Sequence, residues 1–132
     1  SGDDVTAHLC VHSMKSVGTA ITPDGPGAER PDMVIGDLEG KSCDPAFTAL
    51  VTERLRSFGY SVAVNEPYKG AEIIRLHGRP AENRHSLQIE MKRRLYMDEA
   101  TITANDGYAK LKADLRRLIA EVAAWTASAK AA

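Results

Sequence analysis

Much is missing from this sequence, and each gap removes a class of function. No apolar run approaches the ~20 residues of a membrane span, and the opening SGDDVTAH lacks the apolar core of a signal peptide. A cytoplasmic protein is therefore expected, with no membrane partner. Seventeen basic against eighteen acidic side chains leave a formal charge of -1, so nothing draws the chain toward nucleic acid. The local Lys92 to Arg94 run reads as a solvated strand end. Cysteine is scarce: Cys10 and Cys43 show neither CxxC spacing nor a dense framework, which favours reduced thiols. HExxH, GxSxG, P-loop and GxGxxG motifs are absent, as are internal repeats, heptads and low-complexity blocks.

What is present suits one globular domain. The 132 residues are 43% hydrophobic and 27% charged, enough to bury a core. The chain opens with Ser-Gly rather than Met, which leaves open a processing product or a portion of something longer.

The most informative stretch runs from His85 to Asp98. Leu87, Ile89 and Met91 alternate with Gln88 and Glu90, so a strand here buries one face and sends Glu90 out of the other. By itself the pattern reads as an exposed glutamate on a half-buried strand. Val5 to Val11 alternates likewise, with His8, Cys10 and His12 sharing a face, and the strand is expected to end at His12. A long loop follows, broken by Gly18, Pro23, Gly25, Pro26, Gly27 and Pro31. Met33 to Ile35 is a short buried strand leaving at Gly36-Asp37.

Asp44 followed by Pro45 marks a helix start, and Phe47, Leu50, Val51, Leu55 and Phe58 recur at helical spacing until Gly59 stops it. Tyr60 to Val64 reads as a strand, Asn65 to Gly70 as a turn, and Ala71 to Leu76 as a further strand closed by His77 to Pro80. Asn105-Asp106-Gly107 opens a last helix. Its packing stripe is Tyr108, Leu111, Leu115, Leu118, Val122 and Trp125, widened by Ile119, with Lys110, Lys112, Asp114, Arg116, Arg117 and Glu121 on the wet side. The tail from Thr126 is expected to fray. This order predicts an α/β fold, a mixed sheet flanked by helices.

Among candidate chemical groups, His12 stands where a strand meets a long loop, the edge at which open α/β sheets place ligands. Its imidazole is either structural or a metal ligand. His8 and Cys10 share its face, but alternating residues on a flat strand do not surround one tetrahedral ion. Arg75 offers a fork suited to a carboxylate, or an ordinary salt bridge. Lys69 and Gly70 either place a cation and bare backbone near a ligand or form a turn.

The ordered set LCVHSMKS, PDMVIGDLEGKSCDPAF, GYSVAVNEPYKGAEIIRLHGRP and RHSLQIEMKRRLYMDE resembles the C-terminal half of the N-formylglutamate amidohydrolase family. The resemblance implies a zinc-carboxypeptidase-like, aspartoacylase-like fold, of which these residues are the C-terminal part of a larger amidohydrolase domain. It implies a zinc held by His12 together with a His and a Glu from an earlier segment, Asp3 and Asp4 sitting only in a short polar arm. Glu90 is implied as the base that takes a proton from water and hands it to the leaving amine. Arg75 is implied as the grip on a substrate carboxylate, with Lys69 nearby. The substrate implied is a small N-acyl amino acid such as N-formylglutamate, yielding formate and the amino acid, a reaction belonging to histidine degradation. Family members carry Asp where this chain has Cys10. A truncated domain would expose a sheet edge and self-associate, and a non-catalytic binding or assembly module is the alternative reading.

Overall fold

A computed structural model describes residues 4–131, so Asp3 and Ala132 lie outside the described residues. The chain runs β1 (Thr6–Met14), β2 (Met33–Gly36), α1 (Pro45–Ser57), β3 (Val62–Val64), α2 (Glu72–His77), β4 (Arg84–Lys92), β5 (Met97–Asp98), β6 (Thr103–Ala104) and α3 (Tyr108–Ala131). Short 3-10 turns at Pro80–Glu82 and Arg93–Leu95 flank β4. The main sheet has the order β1-β4-β2-β3, and β5 pairs with β6 in a small separate ribbon. β4 is parallel to β1 and antiparallel to β2, while β2 is parallel to β3. The expected mixed α/β sheet flanked by helices is therefore what forms.

The apolar core lies on one side of this sheet. Asp44 caps α1 by accepting a 2.8 Å hydrogen bond from the Ala46 amide, and Pro45 follows where no donor is needed. Phe47, Val51 and Leu55 then face the sheet with no exposure, against Met33, Ile35, Leu87 and Ile89. Burying each such side chain contributes about 1.5–3 kcal/mol. α3 completes the layer through Leu111, Leu118 and Val122, and its Trp125 stacks on Phe47 at 5.0 Å. His85 closes the same end: its Nδ1 accepts the Asp44 amide at 2.9 Å, and burial holds the ring's pKa down. Such an acceptor must be a neutral imidazole.

The other side of the sheet is covered by α2, which begins where Ala71 N donates to Gln88 Oε1 at 2.9 Å. This segment corrects the strand expected over Ala71–Leu76. Six residues are too few for periodicity to separate helix from strand, and the β-branched pair Ile73-Ile74 tilts the reading toward strand. Only Ile74 is buried; Ile73 and Leu76 are exposed, as on one turn of a helix. Gly36 lets the connection approach: a Cβ there would lie 2.7 Å from Gly70 N and from the carbonyl carbon of Lys69.

Other boundaries shift. β1 continues past His12 to Met14 because β4 pairs with it throughout, Met14 opposite Lys92. Tyr60, placed at a strand start, instead sits before β3 and donates its hydroxyl to Asp114 at 2.6 Å, so Asp114 is buried rather than on the wet side of α3. Tyr108 and Ile119 are exposed and do not belong to the packing stripe. The helix persists through Ala131, including the Thr126 segment expected to fray. Among the described residues, no helix is long and apolar enough to cross a membrane.

Candidate active site

The strand bearing Glu90 has neighbours on both edges, and the sheet is covered on both faces. The expected outward-facing glutamate is in fact buried, at 8% exposure. A carboxylate in that position needs partners. In the ladders Glu90 is level with His12 on one side and Val34 on the other, so all three project from the same face. Glu90 Oε1 lies 3.3 Å from His12 Nδ1 and accepts a 3.0 Å hydrogen bond from Gln88 Nε2. Burial pushes the Glu90 carboxyl up from the ordinary carboxylate range, opposed in part by His12, Arg30 and Arg93.

His12, with a side chain 44% exposed, forms the open end of this row. Its Nε2 is 3.0 Å from Cys10 Sγ. Burial raises the Cys10 pKa, which keeps the proton on sulfur and makes the thiol a donor to Nε2. The hydrogen on the ring then belongs on Nδ1, facing Glu90, a tautomer inferred from this network. Cys10 thus sits where it orients the imidazole. His8, on the same face, is tied instead to Ser86 Oγ at 2.7 Å.

Glu90 opens into a cleft of about 350 Å³ that also takes in Thr19, Arg30, Tyr68, Lys15 and Arg93. Arg30, at 5% exposure, is its most heavily bonded member. Its Nε and Nη2 form a fork on Asp24 at 2.9 and 3.1 Å, Nη1 donates to Lys15 O at 3.0 Å, and Nη2 also donates to the Tyr68 hydroxyl at 2.9 Å. The Asp24 hydrogen bonds hold Arg30 firmly protonated, and Asp24 is held well below the usual carboxylate range by Arg30. This clasp folds the Gly- and Pro-rich loop 15–31 back against the sheet.

Of the four residues singled out from sequence, the structure brings His12 and Glu90 together and leaves two apart. Arg75 lies on α2, exposed, with Nε donating to Glu72 Oε2 at 2.8 Å. Lys69 is exposed and paired with Glu39 at 2.7 Å, beside a neighbouring pocket. Neither lines the Glu90 cleft. Arg30, Tyr68, Gln88, Lys15 and Arg93 were not identified from sequence. Gln88 alone carried a signal, being two residues from Glu90 on the same strand face.

A metal set requires several converging donors. Among the described residues, no group of three or more His, Cys, Asp or Glu is placed to hold a metal ion. Both His12 nitrogens are engaged, so ligation through this ring would replace its contact with Cys10 or with Glu90. These residues therefore fit a metal as one ligand and not as a complete set.

A sequence profile of the family N-formylglutamate amidohydrolase matches residues 3–97. An N-formylglutamate deformylase from Pseudomonas aeruginosa is 36% identical over 98 residues, which is 72% of this chain and 37% of that protein. One from Pseudomonas putida is 34% identical over 104 residues, 74% of this chain and 38% of its own length. The crystal structure of N-formylglutamate amidohydrolase from Ralstonia eutropha JMP134 superposes with a TM-score of 0.82 at 39% identity, covering 94% of this chain and 44% of that one. A bacteriophage poly-gamma-glutamate hydrolase shares the fold, with a TM-score of 0.55 at 14% identity over 91% of this chain and 55% of its own. The chain thus spans under two fifths of the length of the curated relatives it matches.

Proposed function

Because the chain belongs to the N-formylglutamate amidohydrolase family, we propose that it carries the general base of a zinc-dependent hydrolase. In this reading the enzyme cleaves the amide of N-formyl-L-glutamate or a related N-acyl amino acid. The observation that supports this most directly is the 3.3 Å approach of His12 Nδ1 to Glu90 Oε1, the Glu90 side chain lining a cleft together with Lys15, Arg30 and Arg93. Glu90 takes a proton from the attacking water and delivers it to the departing nitrogen, a role suited to a carboxylate whose proton affinity burial has raised. Gln88 fixes the orientation of that carboxylate by donating to Oε1. His12 is the residue of this chain that would hold the zinc, the remaining ligands coming from outside these 132 residues. When bound, the metal supplies Lewis acidity toward the substrate carbonyl and the water.

The test is Glu90→Gln in the zinc-loaded protein that contains this chain. Hydrolysis of N-formyl-L-glutamate is expected to fall by about 10²–10⁴-fold with zinc content unchanged. Full turnover by the variant would remove Glu90 from the chemistry. One observation favours a second reading: without a complete ligand set among the described residues, the 132 residues alone would bind zinc weakly, turn over little substrate and act as a binding or assembly module. Full zinc occupancy and robust turnover by the 132-residue chain would reject that second reading.

A further inference from the structure

The chain contains four histidines, and two of them are already occupied. His85 accepts the Asp44 amide inside the core, and His12 stands between Cys10 and Glu90. The other two meet outside the Glu90 cleft, which neither of them lines. His8 lies on the edge strand β1 and His77 on the last turn of α2, with ring centroids 5.2 Å apart and planes tilted by 53°. His77 is exposed, and its ring makes no hydrogen bond or ion pair among the described residues. His8 is half-buried, and its Nδ1 lies 2.7 Å from the Oγ of the wholly buried Ser86. The carboxylates of α2 and of the turn after it, Glu72 and Glu82, are paired with Arg75 and Arg79, so neither supplies an anion to the two rings.

This pair has the features of metal ligands. Anchoring Nδ1 on a fixed hydroxyl sets the ring's orientation and leaves Nε2 as the nitrogen that can coordinate. Burial, reinforced by the neighbouring His77, holds the His8 pKa down, so the ring is neutral, as a ligand must be. Two imidazoles that share one tetrahedral ion at metal–nitrogen distances of about 2.0–2.1 Å have ring centroids about 5 Å apart. The observed separation matches. The backbone that carries His77 is also fixed, since Gly78 N donates to Ile74 O at 2.8 Å and a Cβ at Gly78 would meet Ser42 O at 2.5 Å.

We infer that His8 and His77 bind a divalent transition-metal ion between β1 and α2, with water filling its remaining positions. Imidazole nitrogen suits zinc, copper or nickel rather than magnesium or calcium. The site is separate from the zinc proposed at His12, because four residues along a strand span about 13 Å. Its effect is that of a clip. α2 buries only Ile74, and its start rests on Gln88 through the Ala71 amide. An ion at its far end fixes the helix that covers the polar face of β4. Two protein ligands hold such an ion exchangeably, so the stiffness of that cover follows the metal supply.

The test titrates Ni2+ into the tag-free protein that contains this chain, supplied beforehand with one equivalent of zinc. Elemental analysis reads nickel and zinc separately, and circular dichroism confirms that each variant is folded. Wild type is expected to take up one equivalent of nickel more than His8→Ala, His77→Ala or His77→Phe, with zinc content unchanged. His77→Phe keeps a ring against His8 and removes only the coordinating nitrogens. Because one ion needs both imidazoles, the double variant should lose no more nickel than either single one. Ser86→Ala should keep the site and weaken it by about tenfold or more. The Arg75 and Gly78 amides donate to Ala71 O and Ile74 O within and just after α2. With nickel at about 100 times its Kd, their hydrogen exchange should slow by up to about 100-fold in wild type and stay unchanged in His77→Phe.

Equal nickel uptake by wild type and folded His8→Ala and His77→Phe overturns the inference. So does uptake that is lost in His12→Ala and kept in His8→Ala, or α2 exchange that is indifferent to bound nickel. None of these readings is turnover, so they stand apart from the outcome of Glu90→Gln.

Discussion

The two faces of β4 are equally buried and built on opposite terms. Leu87 and Ile89 have no exposure and sit among Met33, Ile35, Phe47 and Leu55, where many contacts share the work and no single geometry is required. Ser86, Gln88 and Glu90 are almost as inaccessible, yet each has an assigned partner: His8 Nδ1 for Ser86, Ala71 N for Gln88, and His12 with Gln88 for Glu90. The apolar face stabilises the fold. The polar face consumes part of that stability to hold one carboxylate beside one imidazole, since a buried polar group adds little when paired and costs much when not.

This contrast can be broken by substitution on each face. The largest effect is expected from Ile89→Ala, which leaves a cavity between α1 and the sheet and should lower unfolding stability by about 2–5 kcal/mol in denaturant titrations. A smaller cost would show that the apolar layer recloses around the gap.

Asp37 tests the buried polar groups away from the cleft. Burial alone would raise its pKa, but donations from Asn65, the Gly40 amide and Thr48 outweigh this and hold it below the usual carboxylate range. The folded state therefore prefers the ionised form. Its contribution is whole above about pH 4, where the unfolded group is also ionised, and fades as pH falls through the depressed folded value. Asp37→Ala should cost roughly 2–4 kcal/mol at pH 7, and the gap from wild type should narrow on acidification. A gap independent of pH would mean that shape rather than charge is what Asp37 contributes.

The smallest of the three is Gln88→Leu, which fills much the same space but strands the Ala71 amide and frees Glu90 Oε1. About 1–3 kcal/mol is expected, together with a fall in activity out of proportion to it. Equal losses in both would erase the distinction between the two faces.

The apolar face was legible in the sequence and the polar one much less so. The α1 start at Asp44-Pro45, its Phe47, Val51 and Leu55 stripe, and the alternation of Leu87 with Ile89 follow from local chemistry repeated at fixed spacing. Alternation also suggested that Glu90 faced water, because Gln88 and Glu90 look like a solvent face when nothing announces the element that covers them. That element, α2, was hidden by its own brevity and its β-branched residues. Arg30 and Tyr68 meet only because a loop rich in glycine and proline turns back on itself, and no local pattern encodes the meeting. Asp114 was misplaced for a similar reason, since its partner Tyr60 belongs to a distant segment.

The parallel pairing of β1 with β4 has a kinetic consequence. More than half the chain lies between these strands, so the ladder that aligns position 12 with position 90 closes the widest loop in the sheet. Its entropy is recovered only after β2 and α1 have offered a surface to dock on. The corner that holds His12 and Glu90 is therefore expected to take shape late in folding, so destabilising substitutions in the β1–β4 ladder should speed unfolding more than they slow refolding.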